Sequence, residues 1–347
     1  MSAATPDTIV LVHGFWMTPR SWEHWKARYE AAGYTVLTPA YPGLEVEVEA
    51  LNEDPTPIAE LTVPKIIEHL ESVIEPLANP PIIMGHSAGG AFTQILLDHG
   101  YGAAGVTLNS APTEGVLQAP FSQLRSVFPV LRNPANRHKA VPFTYEQFVY
   151  AFTNGAEESV SRQAFERYVV PVNRDIVLGG VTGNLKPGHQ DTWVDYHNES
   201  RAPLLFISGS EDHIMPPSVQ QSNAKHYKAE GTITEVEEVE GPHFMVGLEG
   251  WEAIADRALE WALANAKQPA PAAGTASASP TSGGRPCSSR WAAGGSSLNK
   301  RNPINEKALA PNEPKRSPHV CSTLEWQNRW VQRLNASPMR LLMSLKR

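Results

Sequence analysis

The sequence predicts an α/β fold in which a mostly parallel sheet of about six strands is flanked by helices. Short apolar runs alternate with amphipathic helical patterns along most of the first 266 residues, as in a parallel sheet that is covered on both faces. The runs are rich in β-branched residues and lack polar alternation, as expected for strands buried on both sides. A chain of 347 residues is long enough for one large domain of this class.

The elements of the first half follow from local patterns. The first strand, TIVLV at 8–12, ends at His13-Gly14, and the strand at 35–38 is stopped by Pro39. Between them, aromatic residues recur at helical spacing until Gly33, a typical helix-ending residue. Aliphatic residues then mark one side of a helix at 63–77. The remaining elements predicted here are a strand at 81–84, a helix at 89–99 and a strand at 104–108.

The regular alternation lapses between residues 112 and 201 and then resumes. This segment contains helical patterns at 145–152 and 157–168 but no clear buried strand, and it is too long for a loop. We therefore predict a helical cap inserted into the domain. After it come a strand at 204–208, a helix at 217–227, a strand at 232–239 and a final helix at 251–264.

Aromatic residues of the cap indicate either an apolar acyl or aryl pocket or the cap's own small core, and the sequence leaves both open. They are Phe121, Phe128, Phe143, Tyr145, Phe148, Tyr150, Phe152, Phe165 and Tyr168.

The domain at 1–266 and the segment at 267–347 differ in composition. The overall charge of −7 divides into −17 for the domain and +10 for the last 81 residues, which also hold both cysteines, Cys287 and Cys321. An acidic domain does not attract nucleic acid. We predict a Pro/Ala/Gly/Ser-rich linker followed by a disordered basic tail. Its amphipathic end at 324–345 could touch a membrane surface or a partner, or the whole tail could be an extension without function.

Composition, the length of apolar runs and the first residues limit the class of protein. Apolar residues make up 41% of the chain and charged residues 19%, which excludes a wholly disordered chain. No apolar run is long enough for a membrane span, and the first residues lack the pattern of a secretory signal. We therefore expect a cytoplasmic protein.

The sequence around Ser87 carries the clearest chemical signal. Gly85-His-Ser-Ala-Gly89 fits G-x-S-x-G and lies between a predicted strand and a predicted helix, the context in which this motif forms a nucleophile elbow. The sharp turn needs small residues two positions before and after the serine, which Gly85 and Gly89 provide. The helix start directs the Ala88 N–H toward the place where negative charge would develop.

A serine nucleophile needs a base and an orienting acid, and both follow predicted strands. Gly209-Ser-Glu-Asp212 comes after the next-to-last strand and Gly241-Pro-His243 after the last one. The carboxyl ends of parallel strands share one edge of the sheet, where ligands bind. The predicted order is therefore Ser87, Asp212, His243, with Glu211 as the alternative acid. Ser87 as a buried serine of an inactive relative and His243 as a surface histidine are further alternatives.

These motifs, together with His13-Gly-Phe-Trp16 after the first strand, resemble the α/β-hydrolase superfamily over residues 8–266. The HGFW segment and the position of the cap are also loosely similar to the small esterase and lyase branch that contains plant methyl-ester esterases. The resemblance implies an α/β-hydrolase fold and a second oxyanion donor at the Phe15 backbone N–H, with His13 and Gly14 shaping that loop. The chain departs from the fuller fold by lacking a hairpin before its first strand.

Other candidate sites are fewer. Trp16, His86 and Phe244 flank the predicted site and are candidate substrate contacts, with core packing as the alternative. Gly100-x-Gly102-x-x-Gly105 follows a helix and precedes a strand, the reverse of the dinucleotide-binding context. The histidines lack the spacing of metal ligands, so we expect no metal and no cofactor.

These observations predict a serine hydrolase that cleaves a small-molecule carboxylic ester through an acyl-enzyme. A lactonase with the same three residues, a C–C or hydroxynitrile lyase, and a non-catalytic ligand-binding relative remain alternatives. Ser87 excludes relatives whose elbow nucleophile is an aspartate.

Overall fold

A computed structural model describes residues 6–118, 120–185 and 187–267. The predicted linker and tail, including Cys287 and Cys321, lie outside the described residues, except for Lys267. Among the described helices, none is long and apolar enough to cross a bilayer.

Six parallel strands form the central sheet, which confirms the predicted fold class. In chain order, the strands of the described residues are β1 Thr8–Val12, β2 Thr35–Leu37, β3 Ile82–His86, β4 Ala104–Leu108, β5 Ala140–Val141, β6 Val172–Asn173, β7 Leu204–Gly209 and β8 Thr234–Val239. The order across the sheet is β2-β1-β3-β4-β7-β8, and every neighbouring pair is parallel. The strand that follows β1 in the chain, β2, lies on one side of β1, whereas β3 lies on the other side. The direction in which strands are added to the sheet therefore reverses between β1 and β3.

Helices cover both faces of the sheet. In chain order they are α1 Glu23–Ala31, α2 Val48–Glu53, α3 Thr56–Ala59, α4 Val63–Ile74, α5 Ala88–Asp98, α6 Phe121–Leu131, α7 Tyr145–Phe152, α8 Glu158–Tyr168, α9 Arg174–Thr182, α10 Pro217–His226 and α11 Trp251–Asn265. Short 3₁₀ turns occur at Pro19–Trp22, Pro134–Asn136 and Gly183–Leu185.

The core divides into layers because successive strand residues point to opposite faces. Ile9 and Leu11 of β1 pack in the apolar cluster that contains residues of α1 and α11. Val10 and Val12 pack in the cluster that contains residues of α4 and α5. All five residues of β1 are buried, as its continuous apolar sequence predicted.

The segment between β4 and β7 contains α6–α9 and the short antiparallel pair β5–β6. The pair is two residues long on each side, which is too short to give a strand pattern in the sequence. Backbone bonds tie this segment to loops of the sheet: Phe244 N donates to Phe152 O at 2.9 Å, and Val170 N donates to Trp16 O at 2.9 Å. The helical segment is thereby joined to the same sheet edge that carries the predicted site residues.

Candidate active site

Loops after β1, β3, β7 and β8 bring the predicted residues to the carboxyl edge of the sheet. Because these strands are parallel, their carboxyl ends lie on one edge, and the strand order reverses between β1 and β3, the kind of place where open α/β sheets bind their ligands. The loop after β1 begins with His13, Ser87 follows β3 directly, and Asp212 and His243 follow β7 and β8.

Ser87 has the strained backbone expected of a nucleophile elbow. Its φ is 56° and its ψ is −120°, a conformation that non-glycine residues adopt rarely. Its N–H donates to Leu108 O at 3.0 Å, and its carbonyl accepts from Gly90 N and Ala111 N at 2.9 and 2.8 Å. These three bonds hold the strained residue in place between β3 and α5.

The two glycines of the elbow are required by close backbone contacts. A Cβ on Gly85 would lie 2.1 Å from Gly89 O, and a Cβ on Gly89 would lie 2.2 Å from Val12 O. Both distances are far below a van der Waals contact, so a side chain at Gly85 would push β3 from α5, and one at Gly89 would push α5 from the end of β1. The G-x-S-x-G spacing is therefore a steric requirement of this turn.

Asp212 and His243 form a buried hydrogen-bonded pair. His243 Nδ1 lies 2.6 Å from Asp212 Oδ2, and both side chains are withdrawn from solvent. The other carboxylate oxygen, Oδ1, accepts from Ile214 N at 2.7 Å and Met215 N at 2.8 Å. Because a carboxylate accepts, the proton of a neutral His243 belongs on Nδ1, and Nε2 carries the lone pair. By contrast, Glu211 is exposed.

His243 Nε2 is buried and makes no hydrogen bond to any described residue. The serine–histidine hydrogen bond of the predicted triad is therefore not formed in this conformation. Hydrogen bonds of this kind are often long or misaligned before substrate binds. The structure therefore shows the Asp212–His243 pair, and a contact between His243 and Ser87 stays a prediction.

The loop after β1 lies directly against Ser87. A Cβ on Gly14 would come within 2.8 Å of Ser87 Cβ, so this approach requires a glycine. Phe15 follows, and its ring packs edge-on against Phe92 of α5 at 5.9 Å between centroids. Ala88 is the first residue of α5, and amides of a first helical turn have no acceptor within the helix. Phe15 is therefore next to Gly14, which adjoins Ser87, and Ala88 is next to Ser87 itself; the role of both as oxyanion donors stays a prediction.

His13 is held in a neutral form by its surroundings. Burial lowers its pKa from 6.5 to about 4, against the opposing effect of hydrogen bonds to backbone carbonyls such as Gly14 O. Nδ1 lies 2.8 Å from that carbonyl, so Nδ1 carries the proton. Tyr41 packs on the imidazole ring at 3.8 Å between centroids, and its hydroxyl donates to His13 O. These contacts fix the start of the loop that reaches Ser87.

His86 supports the backbone of His243. Its Nε2 donates to His243 O at 2.8 Å, and the two rings lie 4.8 Å apart. Burial, and next the neighbouring His243, lower the pKa of His86 well below its ordinary value, so the ring is neutral. Its predicted substrate contact stays a prediction, since the contacts seen here are with the protein.

Trp16 and Phe244 are packed within the protein. Trp16 stacks on Phe143 at 4.6 Å and meets Phe152 edge-on at 5.9 Å, while Phe244 is fully buried beside Tyr168. Their roles as substrate contacts therefore also stay predictions. Among the cap aromatics, Phe143, Phe148 and Phe152 are buried, and Phe121 is 74% exposed. Phe152 also lies edge-on against His243 at 4.8 Å between centroids. Burial fits both a small core and a pocket wall, so both alternatives stay predictions.

Asn109, at the same edge of the sheet, was not predicted from the sequence as a site residue. Asn109 follows β4, is fully buried and has a φ of 48°. Asparagine is one of the few residues that tolerate this left-handed conformation. An asparagine immediately after a buried strand was the available signal, but it belongs to no motif.

No group of three or more His, Cys, Asp or Glu residues in the described part of the chain is arranged to hold a metal ion.

The comparisons with known proteins agree with the observed fold. The family model of the alpha/beta hydrolase family matches residues 9–257. The chain belongs to this family. A comparison with curated protein sequences gave no match.

Solved structures with the same fold include several hydrolases. An extracellular alpha/beta-hydrolase from a Paenibacillus species, described as sharing structural and functional homology with tobacco salicylic acid binding protein 2, is 18% identical, with a TM-score of 0.56 over 74% of this chain and 98% of that chain. A pyrethroid hydrolase from Sphingobium faniae is 17% identical, with a TM-score of 0.53 over 74% and 98% of the two chains. A methylesterase from Arabidopsis is 12% identical, with a TM-score of 0.52 over 73% and 98%.

Proposed function

We propose that this protein is a serine hydrolase of carboxylic esters, with Ser87 as nucleophile, His243 as base and Asp212 as the acid that orients it. The observation that carries the proposal is the buried hydrogen-bonded pair of His243 and Asp212. In this pair, Nε2 of His243 makes no hydrogen bond to a described residue. The strained backbone of Ser87 on the same sheet edge supports it.

The reaction would begin with attack by Ser87 Oγ on the ester carbonyl. A bond forms between Oγ and the carbonyl carbon, the serine proton moves to His243 Nε2, and the carbonyl oxygen becomes an oxyanion. The Phe15 and Ala88 amides would donate to that oxyanion, an effect worth about 3–4 kcal/mol for one donor. Asp212 stabilises the imidazolium by its hydrogen bond to Nδ1.

The intermediate would then collapse. The bond between the carbonyl carbon and the alkoxy oxygen breaks, and His243 Nε2 returns the proton to the leaving alcohol. Water attacks the acyl-enzyme, passing one proton to His243, and the carboxylic acid leaves as the proton returns to Ser87. No cofactor enters this sequence, and a cytoplasmic location remains part of the proposal.

The test is turnover of p-nitrophenyl esters from acetate to dodecanoate. We expect the wild type to hydrolyse one or more of them and Ser87→Ala to hydrolyse none. Ser161→Ala is the matched control, because Ser161 is also buried, and its hydroxyl has no partner among the described residues. Folded wild-type protein that cleaves none of these esters, or a Ser87→Ala variant with wild-type turnover, would contradict the proposal. The chain-length optimum would measure the acyl pocket.

A further inference from the structure

The side chain of Asn109 lies between the loop that carries Asp212 and the loop that carries His243. Its Oδ1 accepts from Gly209 N at 2.6 Å. Its Nδ2 donates to Pro242 O and His243 O, both at 3.1 Å. One buried carboxamide therefore bonds to the last residue of β7, from which the loop to Asp212 begins, and to the loop of His243, including the carbonyl of His243 itself.

The backbone around Asn109 is also bonded to Ser87. The preceding residue, Leu108, accepts from Ser87 N, and Ala111 N donates to Ser87 O. Asn109 N donates to Ile207 O at 2.9 Å. The segment 108–111 is thus in hydrogen-bond contact with the elbow, with β7 and with both loops that carry the acid and the base.

The Asn109 carboxamide is closely packed against the backbone of Gly209. A Cβ on Gly209 would lie 3.1 Å from Asn109 Nδ2 and 2.5 Å from Gly241 O. The two loops are also joined directly by Glu211 N, which donates to Gly241 O at 3.0 Å. Close packing and the side-chain bonds of Asn109 together define the separation of the two loops.

We propose that Asn109 is a positioning residue that, together with the His86 bond to His243 O, sets the placement of His243 relative to Asp212 and Ser87. It does not touch the reacting atoms; it acts through the main chain of Gly209, Pro242 and His243. The catalytic part of this inference rests on the proposed hydrolase function. A displacement of about 1 Å in a catalytic group can cost about a hundredfold in rate, so loss of these three bonds would appear mainly in kcat.

Asn109→Gly tests the role with the least backbone disturbance, because glycine adopts a φ of 48° freely. Asn173→Gly is the matched control: Asn173 is also buried, its Nδ2 donates to Ala59 O and Leu61 O, and its Oδ1 accepts from Asp175 N and Ile176 N. The Nδ2 bonds join the helical segment to Ala59 and Leu61, and none of the bonds reaches a predicted site residue. Both variants lose a buried carboxamide, so both should lose stability.

Two measurements distinguish a positioning role of Asn109 from a general loss of protein stability. The first is ester turnover, where we expect Asn109→Gly to lower kcat about a hundredfold with KM little changed, and Asn173→Gly to keep the wild-type kcat. The second is the low-field proton NMR signal of His243 Nδ1–H, which needs no turnover. We expect it to shift or broaden in Asn109→Gly and to stay in place in Asn173→Gly. Folded Asn109→Gly with an unchanged signal overturns the proposal, whereas a wild type without ester turnover counts against the proposed function alone.

Asn109→Asp provides a second test if the glycine variant does not fold. When the new side chain is ionised, a carboxylate oxygen faces the carbonyl oxygens of Pro242 and His243 and cannot donate to them. When the side chain is protonated, its O–H group is a donor at the position of Nδ2. We therefore expect the ratio of variant to wild-type kcat to rise as the pH falls. A ratio that is constant with pH would overturn the positioning role.

Discussion

His243 Nδ1 lies 2.6 Å from Asp212 Oδ2, and neither side chain is exposed to solvent. A carboxylate that also accepts from two backbone amides cannot turn away from the histidine without leaving those amides unpaired in a buried place. The orientation of the imidazole is therefore built into the acid loop. This relationship is the basis of the predictions for the reaction.

Replacing the acid should be far more harmful than replacing its neighbour. In Asp212→Asn, an amide group facing Nδ1 favours the wrong tautomer of His243, and the same change in a serine protease triad lowers kcat about 10⁴-fold. We expect a loss of that order in ester turnover. The matched control is Glu211→Gln, which neutralises the adjacent, exposed carboxylate and should leave kcat unchanged. Equal losses in the two variants would refute the assignment of the acid.

The elbow glycines give a prediction about stability. Gly85→Ala would place a Cβ 2.1 Å from Gly89 O, and overpacking of this kind costs about 1–3 kcal/mol or more. We expect a clear loss in the free energy of unfolding, measured by urea denaturation. Gly180→Ala, in α9, meets no atom within 4 Å and should stabilise the protein by about 0.5–1 kcal/mol. Gly85→Ala with wild-type stability would show that β3 and α5 are not as closely apposed as described.

The buried histidines should make stability depend on pH. Burial lowers the pKa of His13 from 6.5 to about 4, so between these values the unfolded chain binds a proton that the folded protein does not. The free energy of unfolding should therefore fall as the pH falls from about 6.5 to about 4, by roughly 3 kcal/mol from His13. His86 acts in the same direction.

His13→Asn is the variant that isolates this effect. It removes the titrating ring, so we expect the free energy of unfolding to depend less on pH between about 6.5 and 4. A loss of stability that is the same at every pH does not affect this comparison. His197→Gln is the control, because the His197 side chain is 78% exposed, and it should keep the wild-type slope. A His13→Asn variant whose slope matches that of the wild type would mean that His13 takes up its proton while folded.

Much of the fold could be predicted because its elements are locally encoded. The strands 8–12 and 104–108 and the helix 145–152 have the predicted bounds. Other ends differ by one to three residues: β3 continues to His86, and α5 already begins at Ala88. At the elbow this is physically informative, because the strand must run up to Ser87 and the helix must begin directly after it for the turn to be sharp.

Features that depend on distant contacts could not be predicted. The pair β5–β6 consists of two-residue strands that exist only because residues 140–141 meet 172–173. Asn109 likewise has no local pattern, since its partners lie about 100 and 133 residues away in sequence. His243 Nε2 makes no hydrogen bond to Ser87 or to any other described residue. This too depends on the relative positions of loops that are distant in sequence. Residue order predicted which groups would meet at the sheet edge, but not the side chain that connects their loops.

The central claim is that Ser87 becomes acylated, and the most direct measurement is to trap that acyl group. The protein is mixed with p-nitrophenyl acetate, quenched in acid within the first turnover, digested and analysed by mass spectrometry. We expect one acetyl group on the peptide that contains Ser87, released on further incubation before the quench and absent from Ser87→Ala. Hydrolysis of the ester with no acetyl group on Ser87, or with the label on another residue, would contradict the account.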